Sequence, residues 1–279
     1  MNAFTLPTIS ARPGLEIGRA TDAGRKYRGE PNQDTLLVLP AEAGRPSLVI
    51  VADGMGGHAG GAEASHIVAE SVAAHYRTRK FPFDPSTFLK ECLGQAHQDL
   101  INYVKTHPGL DSMGSTAVVA LIDDGQAFVA NVGDSRAYLL HGRSMTQLSY
   151  DHSVVADLVR AGQMTPLQAL QSPVRNRLTQ SISPKRKEIA PHLTRSTFGN
   201  GDILVLCTDG LWGVVTEAIL QAVASELPPQ AAAEKLINLT LARGAPDNVT
   251  VVITRRHGSQ AAQAAESEGT NPGVQRSGC

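Results

Sequence analysis

The sequence predicts an α+β protein in which antiparallel β-sheets are covered by helices. Three observations carry the prediction. Two amphipathic helical stripes follow one another between residues 62 and 105, a block of hairpin-linked strands follows at 115–148, and no regular strand–helix alternation returns the chain to a parallel sheet.

Residues 1–14 read as a loose lead-in. Leu15 to Thr21, Thr35 to Leu39 and Leu48 to Ala52 are short strands, the last so apolar that both its faces should be buried. From Ala62 to Tyr76, residues Ala64, Ile67, Val68, Val72 and Tyr76 recur at helical spacing. Leu89, Cys92, Leu93, Ala96, Leu100, Ile101 and Val104 do the same between Ser86 and Lys105. TAVVALIDDGQAFVANV is two strands around Asp124-Gly125, a turn pair that tolerates positive φ, and His141-Gly142 closes a second hairpin. A helix is predicted over Ser153 to Ala161, then an irregular stretch to about Pro184. Asn200-Gly201 turns the chain into a further buried strand, DILVLC. Thr216–Ser225 and Gln230–Ala242 read as helices, the first with Thr216 as N-cap, and VTVVIT (249–254) is the last strand. Residues 256–279 hold hardly an apolar side chain and are expected to be a disordered tail.

The formal net charge of −1 and the 18% of charged residues give no global argument for nucleic acid or an anionic membrane, and neither is expected as a partner. Ser172 to Lys187 holds five basic residues and no acidic one; it reads as a solvated loop or as a patch for phosphorylated or acidic partners. Cys92, Cys207 and Cys279 are too scattered for a disulfide framework or a zinc site. MNAFTLPTIS lacks the pattern of a secretory signal, and no apolar run approaches the ~20 residues of a membrane span. A cytoplasmic monomer is expected.

The functional signal starts at LVIVADGMGGHAGG (48–61), where an apolar strand runs into a carboxylate and then a glycine-rich loop. Gly54 to Ala59 fits the G-x-G-x-x-A form of a dinucleotide fingerprint. Against that reading stand the second amphipathic helix, where a parallel strand should return, and the negative charge of Asp53 beside a pyrophosphate. The other reading is a metal site. Asp209 follows ILVLCT and precedes Gly210, Asp247 stands just before VTVVIT, and Asp34 just before TLLVL. Each alone is an ordinary turn residue. Together they are four carboxylates at the edges of apolar strands, and if those edges converge, a cation must neutralise them. Oxygen-only ligands select Mg²⁺ or Mn²⁺. Two such ions would activate a water for in-line attack on a phosphoryl group, with Gly54 free to offer its carbonyl.

TDAGRKYRGEPNQD, VADGMGGHAGG, DSMGSTA, VANVGDSRAYLL, LSYDHSVV, LCTDGLW and DNVTVV, in this order, resemble the metal-dependent Ser/Thr protein phosphatases of type 2C (the PPM family) in their compact bacterial form. The resemblance covers about residues 15–255. It implies a four-layer αββα sandwich, two central antiparallel sheets flanked by helix pairs, and one catalytic domain with a flap at about 154–184. It implies hydrolysis of phosphoserine and phosphothreonine by a metal-activated water, in opposition to a partner Ser/Thr kinase. By resemblance Asp53 bridges two metals, Gly54 gives its carbonyl, Asp209 and Asp247 complete the first metal's shell, and Asp34 belongs to the second. Asp111, before Met113-Gly114-Ser115-Thr116, matches the aspartate of a third, weaker site. The family's phosphate-binding arginine falls here on Tyr27, with an apparent insertion that leaves Arg28 or Arg25, Arg28 preferred. Asp53-Gly54-Met55 lacks the histidine of animal members, and His58 becomes the candidate proton donor to the leaving oxygen. Asp134 reads as a structural turn paired with Arg136. A pseudophosphatase that binds phosphoproteins without turnover should have lost Asp53, Asp209 or Asp247, and none is lost.

Overall fold

A computed structural model of the chain describes residues 4–5, 9–10, 14–27, 29–42 and 45–258, with the side chains of 4, 5, 9, 10, 58 and 59 outside that description. The elements run β1 (Phe4–Thr5), β2 (Ile9–Ser10), β3 (Leu15–Asp22), β4 (Asp34–Leu39), β5 (Ser47–Met55), α1 (His58–Thr78), α2 (Pro85–Thr106), β6 (Gly114–Ser115), β7 (Ala117–Asp123) and β8 (Gln126–Val132). They continue through β9 (Arg136–His141), β10 (Ser144–Gln147), α3 (Val154–Arg160), α4 (Pro166–Gln171), β11 (His192–Thr197), β12 (Ile203–Cys207), α5 (Asp209–Trp212), α6 (Glu217–Glu226), α7 (Pro229–Ala242) and β13 (Val249–Arg256).

One sheet has the order β1-β3-β13-β12-β9-β10, with β2 also on β3; the other has β11-β8-β7-β5-β4, with β6 on β5. Strand alternation explains the layering. Leu48, Ile50 and Ala52 of β5 pack with α1 and α2, whereas Val49 and Val51 face the other way into a core between the sheets. In β12, Leu204 and Leu206 join that middle core, while Ile203, Val205 and Cys207 pack against α6 and α7. A strand buried on both faces cannot alternate polar and apolar residues, which is why these two read as continuous apolar runs. The result is the αββα sandwich. Cys92 and Cys207 are core residues, and burial pushes both thiols up to about 12.

Several elements differ from the sequence reading. β5 does not stop at Ala52 but continues through Asp53 and Gly54 to Met55, because β6 pairs with that extension (Gly54↔Ser115, Met55↔Gly114). α1 begins at His58, ahead of the predicted Ala62, since Gly57 at φ 78° makes the turn into it. The lead-in holds two short strands on β3. β11 was hidden by its polar composition. It is an edge strand on β8 whose residues alternate in exposure, but the half-buried positions are the polar His192, Thr194 and Ser196, and its one apolar residue, Leu193, faces outward, so no apolar alternation marks it. α4 was hidden by its shortness, although its signal is in the sequence: Thr165 and Gln168 form a capping box and Pro166 occupies the first turn. The predicted tail, 256–279, starts too early, because Arg256 still belongs to β13; residues 259–279 lie outside the described residues. No helix among those described is long and apolar enough to cross a membrane.

Candidate metal centre

Five aspartates reach one end of the sandwich from five different elements. Asp34 opens β4 and stands directly opposite Asp53 in the β4–β5 ladder. Asp209 follows β12 and opens α5, Asp247 immediately precedes Asn248 and β13, and Asp134 follows β8. Asp53, Gly54, Asp134, Asp209 and Asp247 line one cavity of about 400 Å³, together with Tyr27, Gln33, Thr116, Asn176, Leu178 and Asn248.

Hydrogen bonds fix these elements to one another. The Thr208 hydroxyl donates to Asp34 Oδ2 at 2.9 Å and accepts from the Thr250 N–H at 3.1 Å. Gln33 N–H donates to Asn248 Oδ1 at 2.9 Å, and Asn248 Nδ2 donates to the Ala23 carbonyl at 2.7 Å. The Asp53 N–H donates to Thr116 Oγ1 at 3.1 Å, and the Thr116 N–H returns a bond to the Asp53 carbonyl at 2.8 Å. Through these bonds β4, β5, β12 and β13, which belong to two sheets, share one polar seam.

The two Asp-Gly steps have a steric cause. A Cβ on Gly54 would come within 1.9 Å of the Gly61 carbonyl oxygen, and one on Gly210 within 1.8 Å of that of Asn248. Both glycines therefore let backbone touch backbone where no side chain fits, and each aspartate is set against its neighbours by that contact.

The electrostatics are those of a site waiting for positive charge. Burial, then Asp34, Asp209, Asp134 and Asp247, push Asp53 well above the ordinary carboxylate range. Asp34 is pushed up to about 7 and Asp209 to about 6, each first by burial and then by neighbouring aspartates. Burial raises Asp247, and burial followed by the charges of Asp209 and Asp151 raises Asp134. Asp34 Oδ1 and Asp209 Oδ1 are buried without a hydrogen-bond partner. Such orphaned carboxylate oxygens are costly unless a cation takes them. Among the described residues no group of three or more His, Cys, Asp or Glu side chains is placed closely enough to hold a metal ion as it stands. The carboxylates instead surround a cavity, with room for ions and water. An oxygen-only donor set, orphaned oxygens and mutual repulsion all fit hard divalent ions.

Of the residues singled out in the sequence, Asp53, Gly54, Asp209 and Asp247 line the cavity, and Asp34 is tied to it through Thr208. Asp111 is exposed in the turn after α2 and does not line it. Arg28 lies outside the described residues, and so does the side chain of His58, the first residue of α1. Arg25 spends its Nε–H on the Leu241 carbonyl, 2.8 Å away, and is not at the cavity. Asp134 was misread: Arg136 pairs with Asp151 (Nη2–Oδ2 2.6 Å), and Asp134 faces the cavity. The signal was present, because VANV-Gly-Asp is another apolar strand running into a carboxylate.

The family model described as Protein phosphatase 2C matches residues 22–242. Protein phosphatase PhpP of Streptococcus pneumoniae is 36% identical over 245 residues, which is 86% of this chain and 96% of that protein. The crystal structure of the Mycobacterium tuberculosis serine/threonine phosphatase PstP/Ppp superposes with a TM-score of 0.79 at 30% identity, covering 88% of this chain and 100% of that one. The catalytic domain of PstP in complex with two manganese ions gives 0.78 at 29% identity, covering 88% and 99%. Match, relatives and architecture agree: this chain belongs to the protein phosphatase 2C family.

Proposed function

We propose that this protein is a Ser/Thr protein phosphatase that uses two Mg²⁺ or Mn²⁺ ions to hydrolyse phosphoserine and phosphothreonine, in opposition to a Ser/Thr kinase. The observation that carries the reading is the meeting of Asp53, Gly54, Asp209 and Asp247 on one cavity, beside orphaned carboxylate oxygens. Asp53 would lie between the ions, Asp209 and Asp247 would hold one, and the Gly54 carbonyl the other, with Asp34 acting directly or through water. For a third ion, the cavity-lining Asp134 is better placed than the exposed Asp111. When bound, the ions would supply an ionised water at neutral pH and offset charge on the phosphoryl oxygens.

The chain's own work is to hold and orient. Thr116 fixes the Asp53 backbone and Thr208 fixes Asp34, so the carboxylates are set before substrate arrives. The water oxygen forms the new P–O bond as the ester P–O bond breaks. The departing serine or threonine oxygen takes a proton, for which His58 is the proposed donor. Hydrolysis of a phosphothreonine peptide with Mn²⁺, with and without a chelator, tests the reading. Turnover that stops on chelation and returns with added Mn²⁺ supports it; turnover indifferent to chelation refutes it.

A further inference from the structure

The turn that carries Asp134 is packed hard against the site. Gly133 sits at φ 98°, and a Cβ there would come within 2.6 Å of Thr116 Cγ2. Thr116 brackets the Asp53 backbone, and its hydroxyl oxygen lies 2.7 Å from that of Ser135. A shift of Gly133 therefore moves Asp134 and presses on the residue that fixes Asp53.

His152, which does not itself line the cavity, holds this turn from behind. The Gly133 N–H donates to Nδ1 of the buried His152 at 3.1 Å, and the His152 N–H donates to the Gly133 carbonyl at 3.0 Å. A backbone N–H can only donate, so Nδ1 carries no proton and the ring is the neutral Nε2–H tautomer. The loop before His152 is fixed as well. The buried Asn131 accepts from the Tyr150 N–H at 2.9 Å and donates to the Tyr150 carbonyl at 2.8 Å.

The backbone of His152 holds a second part of the cavity. Asn176 and Leu178 of the flap line it. The Thr179 N–H donates to the His152 carbonyl at 2.9 Å and the Val154 N–H to the Arg177 carbonyl at 2.9 Å, with Ser153 and Leu178 paired between them.

We infer that His152 is a positioning residue that locks two walls of the cavity together, the Gly133–Asp134 turn through its ring and the flap segment 177–179 through its carbonyl. The lock is a matter of hydrogen bonds alone; its effect on turnover rests on the phosphatase reading above. Loss of the Nδ1 acceptor leaves a buried Gly133 N–H without a partner, and the turn must move to find one. The turn is also bonded to the His152 N–H, so its displacement pulls on the backbone that holds Thr179.

The test combines hydrogen exchange at single amides, nitrogen NMR shifts of the His152 ring, and steady-state kinetics with Mn²⁺ on a phosphothreonine peptide. In wild type the ring shifts should show Nδ1 bare and Nε2 protonated. His152→Leu should speed exchange at Gly133 and Thr179 by about tenfold and lower kcat by about tenfold, while the amides of Leu236 and Ile237 in α7 stay protected as in wild type. In His152→Asn the Oδ1 stands as many bonds from Cα as Nδ1 does, so this variant should recover most of both losses. His152→Gln carries its oxygen one bond farther out and should not.

A His152→Leu protein indistinguishable from His152→Asn in exchange and kcat would reduce the ring to packing and overturn the lock. Faster exchange at Gly133 with Thr179 unchanged, or a proton found on Nδ1, would do the same. Where His152→Leu does not fold, His152→Asn against His152→Gln makes the same comparison. A wild-type protein without turnover would refute the phosphatase reading, and the exchange pattern of the variants would still decide the lock.

Discussion

Asp34 and Asp53 face each other directly across the β4–β5 ladder, two carboxylates in a cross-strand pair at the end of a buried sheet. Like charges in that position are destabilising by up to about 1 kcal/mol even on an exposed face. Asp34→Asn should therefore raise the Tm of the chelated protein, because an amide oxygen can still accept from Thr208. It should also shrink the rise in Tm that Mn²⁺ produces, which for wild type at a hundredfold excess over Kd corresponds to about 2.7 kcal/mol. Thermal melts with and without metal measure both. An Asp34→Asn variant less stable without metal than wild type would contradict the repulsion.

The raised carboxylates set a pH dependence. Asp34 at about 7 and Asp209 at about 6 stand above the ordinary value of 3.8, so the folded metal-free protein holds protons that the unfolded chain releases. Their stabilising contribution is complete below about pH 4 and is lost as pH rises through 6 to 7. The chelated protein should accordingly lose stability to urea between pH 5 and 7.5, and Asp34→Asn should flatten that slope. Metal competes with the same protons, so Mn²⁺ affinity should rise across the window.

Asp209→Asn should lower kcat by about 10³-fold, the scale of an electrostatic contribution to the transition state, with the urea midpoint of the chelated protein little changed or raised. Near-wild-type kcat in this variant would exclude Asp209 as a ligand.

Arg136 supports the site from behind. It holds Asp151 with Nε and Nη2, donates to the Tyr138 hydroxyl at 2.8 Å, and lies 3.7 Å from the Trp212 ring centroid. Trp212 Nε1 in turn donates to the Asp134 carbonyl at 3.0 Å. Arg136→Met leaves a buried Asp151 uncompensated and should cost about 3–5 kcal/mol by urea denaturation, with a loss of activity that follows the loss of fold.

Gly210→Ala places a Cβ within 1.8 Å of the Asn248 carbonyl, so the α5 and β13 segments must separate. Weaker Mn²⁺ binding by calorimetry is expected even where the variant folds, since Asp209 and Asp247 flank that contact.

Much of this was legible in the sequence because the layers are built on simple periodicities. β5 and β12 had to be buried on both faces, and α1 and α2 each show one apolar stripe. Aspartates at either edge of an apolar run located four of the five carboxylates: Asp53 and Asp209 follow such runs, and Asp34 and Asp247 precede them. Asp134 carried the same pattern but was given to Arg136, two residues away, because one sequence cannot show that Asp151 arrives from the next loop to take that arginine. The Asp-Gly steps were visible, but their cause was not, since the carbonyls of Gly61 and Asn248 come close only after folding. Asp111 matched by spacing from Met113-Gly114-Ser115-Thr116, and spacing cannot tell an exposed turn from a cavity wall.

The most direct measurement is a crystal of the Mn²⁺-loaded protein with anomalous scattering recorded at the manganese edge. The account predicts two peaks flanking Asp53, one shared with Asp209 and Asp247 and the other beside the Gly54 carbonyl. Crystals of protein that turns over with Mn²⁺ but shows no peak within coordination distance of Asp53 would contradict it.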